Sequence, residues 1–217
     1  MKKILIGFFS AIYAITAQAQ VLEPVKVDNL VTVSLPKEFS KKDTLGQTIY
    51  SGNASLGYVV VIKSPNPPEK TLKKEKDLKK VFKEYTDKVV QSSGNGTVLN
   101  SKDTVVNNVE VRDFTLATTG EQGNQMRRFR VLYTKPATYT FQYTYPEERE
   151  ALASKEMKEF LASIKTAPDF DGKDQYATFG QSQGMNTAVK IILIGVGALL
   201  IVLVVWLVKR NSNKMAV

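Results

Sequence analysis

The chain has 217 residues, with 30 Lys and Arg against 21 Asp and Glu, and neither Cys nor His. Without Cys there is no disulfide framework, thiol nucleophile, thiolate metal site or bacterial lipoprotein anchor, and without His the commonest general base near neutrality and the usual zinc, copper and haem ligand are missing. The formal charge of +9 is not a nucleic-acid footprint: Lys2, Lys3, Lys190, Lys209, Arg210 and Lys214 lie in or beside the apolar ends, leaving 24 cations against 21 acids between them.

Residues 1–19 read as a cleavable signal peptide: a positive start at Lys2 and Lys3, an apolar run over 4–15, and Ala17-Gln18-Ala19 as the cleavage site. A helix over that run spans ~18 Å, too little for a hydrocarbon core of ~30 Å. Residues 20–166 form one folded domain. Val31-Thr-Val-Ser-Leu35 alternates as a strand and stops at Pro36, residues 37–46 read as polar loop, and 47–55 and 58–62 read as extended. Ser64-Pro-Asn-Pro-Pro68 breaks the pattern. Over 71–91 the period changes, with Leu78, Val81, Phe82, Tyr85 and Val89 on one stripe, which predicts an amphipathic helix. Strands are expected at 97–105, 109–118, 126–134 and 138–145; in the last, Tyr139, Phe141, Tyr143 and Tyr145 share one face and Thr138, Thr140, Gln142 and Thr144 the other. Pro146-Glu-Glu148 opens a closing helix with Met157, Phe160, Leu161 and Ile164 on its stripe.

Residues 167–187, rich in Asp, Gly, Gln, Ser and Asn, read as a flexible stalk. Asp169, Asp171 and Asp174 match the start of a calcium loop, but its closing glutamate position is occupied by Gly180, so the segment is read as linker. Residues 188–208 are expected to cross a membrane, and Trp206 with Lys209, Arg210 and Lys214 places the tail 209–217 in the cytoplasm. Gly195, Gly197 and Ala198 have no small residue four positions away, so this helix carries no dimerisation motif. The domain is then extracytoplasmic, periplasmic in a Gram-negative bacterium.

Strands, helix, strands, helix with mostly hairpin-length links describe an α+β domain: a predominantly antiparallel sheet with flanking helices. Periodicity does not tell whether the helices share a face. Val31-Thr-Val-Ser-Leu-Pro36, the long charged helix, the Tyr139 to Tyr145 strand and the closing Phe160-Leu-Ala-Ser-Ile-Lys165 together resemble the PsbP/Mog1-like family over about residues 25–165. The resemblance implies an α/β/α sandwich and a non-catalytic binding role, since members with known roles are photosystem II extrinsic subunits and a Ran-binding transport factor. Neither role transfers to an exported chain with this signal peptide.

Two basic clusters are candidate partner surfaces: Lys73, Lys76, Lys80 and Lys83 on the first helix, and Arg128 with Arg130. The helix lysines alternate with acids at i,i+4 spacing, the pattern of a solvated face. On a strand Arg128 and Arg130 share one side and Arg127 lies opposite. The Tyr stripe is read as core, with sugar stacking as the alternative. Asn53-Ala-Ser55 and Asn95-Gly-Thr97 match the N-glycosylation acceptor, which a bacterial chain does not use. No metal, cofactor or nucleotide site is read. The expected function is a non-enzymatic, single-pass protein whose domain binds an envelope protein; the alternatives are a small-ligand or glycan binder and a hydrolase running on paired carboxylates.

Overall fold

The structure, a computed structural model, describes residues 22–67, 72–94, 96–120 and 123–176. The expected signal peptide at 1–19, membrane span at 188–208 and tail at 209–217 lie outside the described residues. Among the described residues no helix is long and apolar enough to cross a membrane.

In chain order the elements are β1 (Leu22–Lys26), β2 (Val31–Pro36), β3 (Ser40–Thr44), β4 (Gln47–Asn53), β5 (Tyr58–Pro65), α1 (Glu75–Ser92), β6 (Thr97–Val106), β7 (Val109–Gly120), β8 (Gly123–Tyr133) and β9 (Ala137–Pro146). A 3-10 turn (Glu147–Arg149), α2 (Glu150–Ala162), β10 (Lys165–Thr166) and a second 3-10 turn (Gly172–Gln175) follow. Seven strands form one antiparallel sheet in the order β3-β4-β5-β9-β8-β7-β6, and β1, β2 and β10 form a small sheet in the order β1-β2-β10.

The large sheet is apolar on both faces, and each face is covered separately. On one side α1 lays Leu78 and Phe82 against Phe114, Leu116, Phe129, Val131 and Tyr133. On the other, α2 and the small sheet bury Tyr139, Phe141 and Tyr143 under Val31, Val33, Ala153 and Phe160. The helices therefore lie on opposite faces, and the layering is α/β/α with the small sheet beside α2. The N-terminus of α1 is held by Asp77, whose Oδ2 accepts the Lys73 and Lys74 amides, both at 3.0 Å, an anion where the helix dipole favours one.

Tyr139, Phe141 and Tyr143 are completely buried and Tyr145 is 3% exposed, so the stripe is core. Each such ring contributes about 1.5–3 kcal/mol by its burial. A buried phenol also needs a partner for its hydroxyl. Tyr139 donates to Asp28 Oδ2 at 2.6 Å and Tyr143 to Glu156 Oε2 at 2.6 Å. Asp28 is fixed in turn by Lys63 Nζ at 2.7 Å and by the amides of Leu30 and Val31, while Glu156 accepts the Ser55 and Leu56 amides at 2.9 Å. Both carboxylates thus pin a loop to the core strand.

Two segments correct the sequence reading. Residues 37–46 are not all loop: β3 pairs with β4 through a tight turn in which Leu45 (φ 49°) and Gly46 (φ 75°) both take left-handed backbone. Every residue of β3 is exposed, so the strand has no apolar alternation to reveal it, and Leu is an unusual residue for such a turn. The second correction concerns the stalk. Residues 167–176 belong to the domain: Phe170 is 9% exposed, and the Gln175 side chain is buried, accepting from Glu110 N at 2.9 Å and donating to Glu110 O at 2.9 Å and Tyr133 O at 2.8 Å. The remainder of the expected stalk, 177–187, lies outside the described residues.

Candidate functional site

The β8 sequence Met126-Arg-Arg-Phe-Arg-Val131 divides its cations by strand alternation, as expected. Arg127 points to the α1 side, where its Nη1 donates to Ser93 Oγ at 2.9 Å and its Nη2 to Gln142 Oε1 at 3.0 Å, with the guanidinium over the Phe129 ring. It ties the end of α1 to β9, a structural task. Arg128 and Arg130 point to the α2 side.

Antiparallel register sets Arg130 opposite Asp113 and Arg128 opposite Thr115 on β7, and Lys102 of β6 opposite Asp113 on its other flank. A bulge in β6 between Leu99 and Lys102 shifts the register just ahead of that lysine. Arg130 engages all three guanidinium nitrogens: Nε and Nη2 form a bidentate pair with Asp113, both at 2.8 Å, and Nη1 donates to Leu161 O at 3.0 Å, satisfying a carbonyl in the last turn of α2. Arg128 does not. Its Nη1 donates to Thr115 Oγ1 at 2.9 Å, its Nη2 stands 4.0 Å from Asp113 Oδ2, and its buried Nε has no acceptor.

These residues line an open cleft of about 310 Å³ between the β6–β8 half of the sheet and α2. The helix contributes Met157 and Leu161 as an apolar wall and Lys158 at the rim. The main packing of α2 is against β9 and β2, and over this half of the face the inward positions of β7 and β8 turn from Val and Leu to Asp, Thr and Arg. Four cations, Lys102, Arg128, Arg130 and Lys158, face one acid, Asp113. The cleft therefore suits an anionic group with an apolar neighbour. The single acid of its lining is engaged by Arg130, so the cleft holds no carboxylate pair of the kind a glycosidase uses.

The predicted partner residues are not brought together. Lys73, Lys76, Lys80 and Lys83 are exposed on or just before α1, across the sheet from Arg128 and Arg130. Lys80 faces Glu84 at 3.9 Å, Lys83 faces Asp87 at 2.7 Å and Lys79 pairs with Glu75, all at i,i+4 spacing. Such exposed pairs are worth little and describe a solvated face. Sequence reasoning missed Lys102, Asp113 and Lys158. Asp113 carried a signal: it follows Val109 and Val111 on the inward face of a strand, where a carboxylate requires a cationic partner.

The solved structures give the architecture its class. Cyanobacterial PsbP from Synechocystis superposes with a TM-score of 0.52 at 13% identity, covering 68% of this chain and 93% of that one. A Bacteroides thetaiotaomicron protein aligns with a TM-score of 0.40 at 11% identity over 63% of this chain and 44% of that one. A Pseudomonas aeruginosa protein of unknown function does so at 0.40 and 9% identity over 65% of this chain and 94% of that one. No family model and no curated protein matches the chain. The fold is PsbP-like, an α+β domain with an antiparallel sheet, and at these identities the likeness is one of fold alone.

Proposed function

We propose that the chain is a single-pass membrane protein, exported by residues 1–19 and anchored by 188–208, whose PsbP-like domain serves outside the cytoplasm as a non-enzymatic protein-binding module of the cell envelope. The observation that carries the binding role is the solvent-facing cleft, whose four cations exceed its acids by three and whose Arg128 keeps unspent donors. The apolar ends, the lack of Cys and His, and the PsbP-like fold support the same reading. A tethered domain searches a thin layer and so meets neighbouring envelope proteins at raised effective concentration.

Crosslinking the intact protein in membranes, followed by pull-down, is expected to recover a defined envelope protein above background; recovery of none would sink the binding role. Protease added to spheroplasts is expected to digest the domain and spare a C-terminal tag, and the reverse pattern would sink the orientation. A second reading, a small-anion or glycan binder, is supported by the concavity of the same cleft. It does not use the Tyr stripe, because Tyr139 and Tyr143 are enclosed in the core.

A further inference from the structure

The donors around the cleft can be counted one by one. Asp113 is 4% exposed at its side chain and is neutralised by Arg130, whose three guanidinium nitrogens all already donate. Arg128, with a side chain 17% exposed, is the cation left over: among the described residues only Thr115 accepts from it within hydrogen-bond distance, and its Nε is enclosed without an acceptor. The enclosed Nε is out of reach of a ligand, but Nη1 has spent only one N–H, on Thr115, and Nη2 stands 4.0 Å from Asp113, so an incoming anion can accept from the Nη groups of this partly hydrogen-bonded guanidinium. Lys102 and Lys158 flank the position and hold it net positive. Beside the charge, Met157 and Leu161 offer an apolar surface that an inorganic ion leaves unused. The volume, about 310 Å³, lies at the lower end of the roughly 300–1,000 Å³ typical of ligand pockets and exceeds what one anion fills.

We propose that this cleft seats an acidic peptide segment of the protein partner, with a carboxylate on Arg128 between Lys102 and Lys158 and an adjoining apolar side chain against Met157 and Leu161. A carboxylate can accept from the Nη groups of Arg128, and its single charge leaves the Asp113–Arg130 pair intact. The proposal rests on the binding role put forward above and names the chemistry of the partner.

The test uses the full chain in neutral detergent, titrated calorimetrically with three probes: acetyl-Leu-Leu-Glu carrying a free C-terminus, acetyl-Leu-Leu-Gln amide, and inorganic phosphate. The acidic peptide is expected to bind at least tenfold more tightly than the amide and more tightly than phosphate, with affinity falling as salt rises. Arg128→Gln is expected to lower it about tenfold. Lys158→Gln, on the exposed helix rim where folding is not at risk, is expected to lower it severalfold. Equal affinity for the two peptides, or phosphate binding as tightly as the acidic peptide, overturns the proposal. So does capture of the same envelope partner by Arg128→Gln as by the unaltered protein, an outcome that leaves the binding role standing and moves it to another surface.

Discussion

Asp113 follows Val109 and Val111 on the same face of β7 and is the most enclosed charge of the cleft, at 4% side-chain exposure. Its two oxygens hold Arg130 in a bidentate pair, and Oδ2 also stands 4.0 Å from Arg128. Removing one member of a buried pair costs more than removing both, because the survivor keeps its desolvation penalty without the attraction. Asp113→Ala is expected to destabilise the domain by about 3 kcal/mol, read as a lowered urea midpoint. Asp113→Leu combined with Arg130→Met is expected to cost less than that single change, and equal or greater loss would show that the pair itself is net stabilising. Arg130 and Arg128 were legible in the sequence as cations sharing one strand face. Their different states were not, because which of two arginines meets the one acid depends on the register of β7 against β8, and no local pattern in either strand encodes it.

At the level of elements, β9 and α1 were readable because each carries an apolar pattern at its own period over many residues. The hairpin of β3 and β4 was not: Ser40, Lys41, Lys42, Asp43 and Thr44 are all exposed, and pairing with β4 rests on the backbone ladder and on polar contacts such as Thr48 Oγ1 donating to Asp43 Oδ1 at 2.6 Å, which leave no apolar pattern. Nor were β1 and β10, which are short and draw their stability from β2 between them. The segment ending in Gln175 was hidden for a related reason, since its composition is that of a linker and its anchorage rests on a few isolated residues, Phe170 and Gln175 foremost. Gln175 closes the end of the sheet by satisfying Glu110 at both its amide and carbonyl and Tyr133 at its carbonyl. Gln175→Ala is expected to cost about 1–3 kcal/mol locally by leaving those buried groups unpaired. Limited proteolysis should then cut within 167–176 while the rest of the domain resists, and unchanged resistance there would count against the docking role of this side chain.

The molecule as a whole depends on two carboxylates that lock loops onto β9. Burial pushes the Asp28 carboxyl upward, but hydrogen bonds from Lys63, Tyr139 and the Leu30 amide outweigh it and hold it below its ordinary value near 3.8. Glu156 is likewise raised by burial and lowered further by Tyr143 and the Ser55 and Leu56 amides, ending below its ordinary 4.5. For a carboxylate depressed in the folded state, the stabilisation is fully present above the unfolded value and is lost as pH falls through the folded one. Stability should therefore hold above about pH 5 and decline through pH 4 and below, followed by urea midpoints across a pH series. Glu156→Gln is expected to lower stability at pH 7 and to flatten that decline, and a slope unchanged by the substitution would remove Glu156 from the account.

The docked glutamine also decides how the domain is presented. With the proposed span beginning at residue 188, eleven residues, 177–187, separate it from the last described residue, a distance that chain geometry bounds at about 40 Å. The last described residues lie at the rim where β7 begins and β8 ends, so on the proposed topology that rim is the tethered one. Arg128 lies five residues along β8 from Tyr133, about 17 Å up the strand. On that proposed topology the cleft stays within reach of the juxtamembrane stretches of neighbouring proteins, and a longer tether would let it range past them.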